Sequence, residues 1–310
     1  MIKLRQTIML FAAGAFFALS PLPVASAPAT VPVVHAPQAA SQQANELEKS
    51  VSDWIIALSS EKGFEKWTAA DWAILPLGPG THSWLVALTA DGGKDAGYLI
   101  VSQKSDGGYL LTEYGTGTYP LFSMQTLRQS LLQRELIDSS STGSCLDKAE
   151  RYLTGSLESF WKVECGGETY YFDAKSGGEL PDLTNYLASA VKNNKTLTFS
   201  PALNPVESNA ERPVVTDRLE LPAIDPYDQP GWIKDKGQSG TKSDFDTAAS
   251  RLKESEQSFI YTVKLYGSQA LYPLAVTGYH TWSDGSQFLI LDQDGPRYVR
   301  WPLPEGGSFH

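Results

Sequence analysis

Histidine is scarce in this chain: four occur in 310 residues, His35, His82, His280 and His310, each isolated from the others. There is no His-x-x-x-His, no paired-cysteine spacing and no aspartate-rich calcium loop, so the usual zinc and calcium patterns are missing. "DQDG" at 292–295 carries carboxylates but lacks the later ligands, including a distal glutamate. No metal and no cofactor are expected. Phosphate cradles are missing too, because "GPG" and "GTG" have no P-loop lysine and open no Rossmann helix. A Gly-x-Ser-x-Gly elbow is also lacking. His82 and Ser83 are neighbours, but adjacent strand residues face opposite sides and cannot act as base and nucleophile.

Positive charge is in short supply as well. Lys and Arg number 25 against 35 Asp and Glu. Such a surface repels phosphate backbones, and no basic run interleaves with aromatics, which excludes nucleic acid as a partner. Long apolar runs are limited to one, at the N-terminus. Lys3 and Arg5 precede an apolar stretch from Ile8 to Leu19, Pro21 and Pro23 break it, and Ala25-Ser26-Ala27 supplies small residues. That is the pattern of a secretory signal peptide. The run falls short of the roughly 20 residues that span a bilayer. Cleavage after Ala27 would leave a chain of net charge about −12 with no cysteine near its start for lipid attachment. The expected product is secreted or extracytoplasmic, without a transmembrane segment, and its partner is a protein or a cell-envelope component.

Cysteine is reduced to a pair, Cys145 and Cys165. In an oxidising compartment such a pair forms a disulfide, and a loop of about 20 residues contributes roughly 3 kcal/mol on the chain-entropy account.

What is present divides the chain into segments. After the leader at 1–27, residues 28–45 are rich in Pro, Ala and Gln and read as a disordered tether. A first α+β unit spans 46–138. Leu47, Val51, Trp54, Ile55 and Leu58 mark an amphipathic helix stopped by Gly63. "SWLVAL", "AGYLIVS" and "GYLLTEYG" have strand composition, and Ser123 caps a helix carrying Leu127, Leu131 and Leu132. A second unit, 139–191, opens with a flexible "SSSTG". A helix over "SCLDKAERYLTGSL" and a hairpin turning at Gly166-Gly167 follow. Residues 192–244 form a proline-rich linker or arm in which Ile224, Tyr227 and Trp232 are large enough to dock. A C-terminal antiparallel meander fills 245–310. The fold class is α+β: small helix-plus-antiparallel-hairpin modules with a C-terminal antiparallel β unit.

The segment "YYFDAKSGGELP", through Tyr171, Asp173, Ala174, Gly177 and Glu179, resembles the closing pattern of PepSY-type modules in secreted peptidase propeptides and envelope proteins. "GYLIVSQKSDGGYLLTEYG" resembles the hairpin of streptopain-type propeptide domains. Together these resemblances cover residues 95–190 in part. They imply binding or chaperoning more than catalysis, by modulation of an extracellular peptidase or attachment to the envelope.

A rival reading is catalytic. The order Cys145, His280, Asp292 resembles that of papain-like and C39-type cysteine peptidases, in which a cysteine opens a helix and a histidine follows on a later strand. Against it, Cys165 is an oxidising partner for Cys145, the nucleophile motif lacks the upstream glutamine and the surrounding apolar helix that the oxyanion hole of those families needs, and Tyr272 occupies the place where the C39 pattern has histidine. His280 otherwise reads as a strand residue sharing a face with Val276, Gly278 and Trp282, where it organises hydrogen bonds. Aromatics crowd the first unit, with Trp67, Trp72, Trp84, Tyr98, Tyr109, Tyr114 and Tyr119. They are core, or else Trp84, Tyr98 and Tyr114, with Trp282, form a binding surface for a glycan or an extended peptide.

Overall fold

Leu47, Val51, Trp54, Ile55 and Leu58 fall on one helical face, and all five are buried under α1 (Gln38–Ser59). This computed structural model describes residues 38–78, 81–105, 107–138, 145–192, 212–228, 230–235, 237–239 and 244–310. The leader, the start of the tether, the "SSSTG" break and residues 193–211 lie outside them. Residues 38–45, expected as tether, are instead the first turns of α1: past Pro37, "QAASQQAN" contains no helix breaker.

Four antiparallel strands follow: β1 (Asp71–Leu77), β2 (Ser83–Ala90), β3 (Lys94–Gln103) and β4 (Tyr109–Thr116). Sequence reading found the last three. β1 escaped it because Pro76 signals a turn, yet proline is tolerated on an edge strand, where no ladder N–H is needed. α2 (Met124–Gln133) starts as expected, with the Ser123 side chain accepting from the Thr126 N–H.

The helix expected over 144–157 does not form. Residues 145–148 make a turn, and Glu150–Gly155 is a strand, β5. Leu146, Leu153 and Leu157 stand at helix-compatible intervals, but pairing with the next strand satisfies the backbone and buries Leu153 and Leu157. Tertiary context overrides the local period here. β5 opens a four-stranded meander with β6 (Glu158–Cys165), β7 (Glu168–Asp173) and β8 (Glu179–Leu180), and then α3 (Thr184–Lys192). The β6–β7 hairpin turns at Gly166 and Gly167, both at positive φ, as the sequence indicates.

The stretch expected as a connector contributes structure of its own. Val215–Glu220 forms β9, and Gln238–Ser239 forms β10. α4 (Phe245–Ser255), capped by Asp244, leads into β11 (Phe259–Leu265), β12 (Ala270–Trp282), β13 (Gln287–Asp292) and β14 (Pro296–Arg300). A short β15 (Ser308–Phe309) closes the chain. β12 is the longest strand, and two partners share one of its sides. β11 lies along its first half and β9 along its second, while β13 takes the other side. β9 approaches so closely at Gly278 that a Cβ there would sit 1.9 Å from the Leu219 carbonyl oxygen. Gly278→Ala is therefore expected to strip β9 from β12, read as lost hydrogen-exchange protection of amides 215–220 with β11–β13 still protected. Retained protection would contradict that role for the glycine.

The N-terminal strands and the C-terminal meander are not separate sheets. β4 pairs with β14 through Tyr114↔Tyr298 and Glu113↔Val299, giving one antiparallel sheet of eleven strands. Its outer face carries α1, Phe64 and Trp67 over Val86, Leu99, Val101, Tyr114, Phe288, Ile290 and Tyr298. Its inner face curls around the smaller sheet, which is buried on both sides. Trp161, Val163 and Phe172 face Leu85, Tyr98, Ile100 and α2. Phe160 and Tyr171 face α4 and Val263, Leu274, Val276, Leu289 and Leu291. A register shift between Val276 and Gly278 separates Val276 from its expected companions: it packs on the inner face, while His280 and Trp282 lie on the outer one.

Candidate functional site

The cysteines settle the first question. Cys145 and Cys165 form a disulfide, with S–S 1.96 Å, tying the turn before β5 to the end of β6. Cys145 opens a turn and not a helix, and it packs on the inner face beside Leu77, Leu85 and Trp161. His280 is on the outer face. Asp292 closes β13, and its Oδ1 accepts from the Gly295 N–H in the next turn. The three residues of the catalytic reading are not brought together.

His280 belongs to a buried chain of polar side chains. Trp282 Nε1–H points at the Tyr114 hydroxyl oxygen, 3.3 Å away, and Tyr114 OH lies 2.8 Å from His280 Nδ1. Indole N–H only donates, so the phenol accepts there, and the direction of the Tyr114–His280 bond follows the imidazole tautomer. The other ring nitrogen, Nε2, faces Glu220 Oε1 at 3.6 Å, longer than a hydrogen bond. The His280 ring first, and then the Tyr298 hydroxyl at 2.7 Å, pull the Glu220 carboxyl below its usual range. Stacked on Tyr298, Tyr114 is encased in aromatics, and burial raises its phenol far above the ordinary value. Tyr114 and His280 are fully enclosed, and among the described residues no serine or cysteine side chain is hydrogen-bonded to either. The constellation locks β9, through Glu220, to β12 and β14.

A second buried network crosses the crease where the two sheets meet. Arg297 grips Glu113 with two bonds, Nε to Oε1 at 2.8 Å and Nη2 to Oε2 at 3.1 Å, and Tyr98 OH also donates to Oε1. Arg297 Nη1 donates to Gln293, Gln293 to Asp173, and Tyr272 OH to the other Asp173 oxygen. The chain thus runs from β3 and β4 through β14 and β7 to β12. Tyr272, read from sequence only as a missing histidine, is one of its ends.

Lys175 sits beside this network, buried, with Nζ donating to the carbonyls of Tyr119 and Asp294 at 2.8 Å each. Burial, followed by the Arg297 charge, lowers its pKa from 10.5 to about 8. Between those values the unfolded chain holds a proton that the folded chain has lost, so stability rises with pH across that window and is flat below it. Urea titrations at about pH 7.5 and about pH 9.5 should show roughly 2 kcal/mol more stabilisation at high pH in the wild type than in Lys175→Met. Equal pH responses would contradict this environment for Lys175.

The expected binding aromatics divide. Tyr98, Tyr114 and Trp282 are core residues and present no surface. Trp84 is half-buried, edge-on to Tyr109 at 5.6 Å. Trp67 is core, whereas Trp72 and Tyr119 are exposed. His82 precedes β2 at positive φ and is exposed, whereas Ser83, the first residue of β2, is buried against Ser102. His310 is held by Thr262 at 2.9 Å. His35 lies outside the described residues. Among the described residues, no group of histidine, cysteine or carboxylate side chains is arranged to hold a metal, and no helix is long and apolar enough to cross a membrane.

Among the described residues, the two most exposed large apolar side chains both belong to the arm. Tyr227 is 69% exposed and Ile233 67%. Trp232 is half-buried behind them, edge-on to Tyr227, and its Nε1–H donates to the Pro226 carbonyl at 2.8 Å. Asp225 Oδ1 accepts from the Tyr227 N–H, and the N–H groups of Lys234 and Asp235 close a turn on Gly231. Ends clamped at Leu221 to Thr277 and at β10 to β15 complete a braced knuckle. Tyr227 and Trp232 therefore pack on each other, and Ile224 is half-buried. The sequence signal was three large side chains among prolines, and it did not say which way they face.

No protein-family model matches this chain, nor does any curated protein or solved structure.

Proposed function

We propose that this is an exported, non-catalytic binding protein that docks onto another protein through the knuckle at residues 225–235. One observation carries the reading: Tyr227 and Ile233 are held out to solvent on a loop whose described residues are braced by the Asp225–Tyr227, Pro226–Trp232 and Gly231–Asp235 hydrogen bonds. Rigid aromatic anchors lose little entropy on binding, and tyrosine is a favoured hot-spot residue. Asp225, Asp228 and Asp235 flank the pair in sequence against one lysine, Lys234, and the chain as a whole is acidic. The complementary partner is a protein with an apolar pocket rimmed by basic side chains. A secreted peptidase restrained by a propeptide-like modulator fits the PepSY-type and streptopain-type resemblances, and an envelope protein fits them as well.

The test is a pull-down from culture supernatant and from solubilised envelope, with wild type beside Tyr227→Ser/Ile233→Ser. A partner held by the wild type and lost by the double variant, with weaker binding at high salt, supports the reading. The absence of a partner, or one retained by the variant, removes it.

A further inference from the structure

The large sheet ends at β1, and among the described residues no strand pairs with its outer side. The direction of its backbone groups follows from one hydrogen bond. The Gly78 N–H donates outward to the Arg151 carbonyl of β5 at 2.7 Å. Backbone groups alternate sides along a strand, so Trp72, Ile74 and Pro76 also turn theirs outward. Pro76 has no N–H to offer. The open edge is thus short and defined: an N–H and a C=O from each of Trp72 and Ile74, and a C=O from Pro76, with β5 blocking the way beyond. Side chains supply the rest. Trp72 is 36% exposed, on the same face as Ile74 and Pro76, with Asp71 exposed beside it.

We infer that the outer edge of β1 accepts an extended, basic peptide segment of a partner protein as an added strand. Alternating donors and acceptors at strand spacing are satisfied by another strand and by little else. The Trp72 ring gives the added strand an apolar clamp over its alternate side chains. Asp71 and the acidic chain favour lysine or arginine in the segment and disfavour a second copy of this protein. This edge shares no residue with the knuckle.

The probe is a fluorescent synthetic peptide, Lys-Thr-Val-Lys-Val-Thr-Lys, titrated with the full chain and followed by anisotropy. Saturable binding is expected, weakened at least about tenfold when alternate peptide nitrogens are methylated, since that removes backbone donors and spares the side chains. Ile74→Pro deletes an outward N–H without touching the β2 ladder, and Trp72→Ser removes the clamp. Each should weaken binding at least about fivefold, and the Tyr227→Ser/Ile233→Ser chain should bind as wild type does. No binding at millimolar protein, or equal affinity for the methylated peptide, overturns the inference. So does a wild-type dimer in sedimentation that Ile74→Pro converts to monomer, because a second copy would then occupy the edge.

Discussion

Arg297→Met is expected to lose about 3–5 kcal/mol of stability, because it leaves Glu113 charged, buried and held only by Tyr98. Burial works against the charge on Arg297, and Glu113 more than offsets it, raising the guanidinium pKa further. Burial first, and then the Glu113 charge, keeps the Tyr98 phenol protonated as a donor. The informative comparison is the double variant Glu113→Leu/Arg297→Met. Removing both charges from a dry site should recover most of the loss, since the desolvation penalty disappears with the attraction. Urea titration of the wild type and the three variants measures this. A single variant within about 1 kcal/mol of wild type would mean that water reaches the pair.

Phe160→Ala and Trp161→Ala should each cost about 3–5 kcal/mol. In a sheet with one wet face, adjacent strand residues respond oppositely, one severe and one mild. Here both are severe, because the curled sheet covers both faces of β6. Phe160 stacks on Tyr152 and meets Tyr171 and Tyr266 edge-on. Trp161 takes Phe122 against its edge and the Arg151 guanidinium over its ring at 4.8 Å. A mild effect at either position, in the same urea titrations, would show that one face of the small sheet is not packed.

Much of this fold was legible in the chain because local pattern and burial agree. The stripe from Leu47 to Leu58, the Ser123 cap, the Gly166-Gly167 hairpin and the strands of the C-terminal meander each follow from residues close in sequence. The α+β class and the disulfide follow from the same reading. What stayed hidden depends on distant partners. β5 looks helical until β6 lies beside it. β9 is polar and short, and becomes a strand because Gly278 leaves room for it. The Tyr98–Glu113–Arg297–Gln293–Asp173–Tyr272 chain draws on five strands, and no spacing in sequence announces it. The catalytic candidates were misleading for a related reason: Cys145, His280 and Asp292 stand in a plausible order along the chain, but Cys145 and His280 lie on opposite faces of the large sheet.

The pairing of β4 with β14 has a bearing on how the chain matures. Glu113 and Arg297 lie 184 residues apart, so the first four strands emerge with a hydrophobic rim that stays bare until nearly the whole polypeptide has appeared. Long-range closure of this kind slows folding and leaves intermediates prone to self-association. Holding the nascent chain extended until its last strand is made would avoid that hazard.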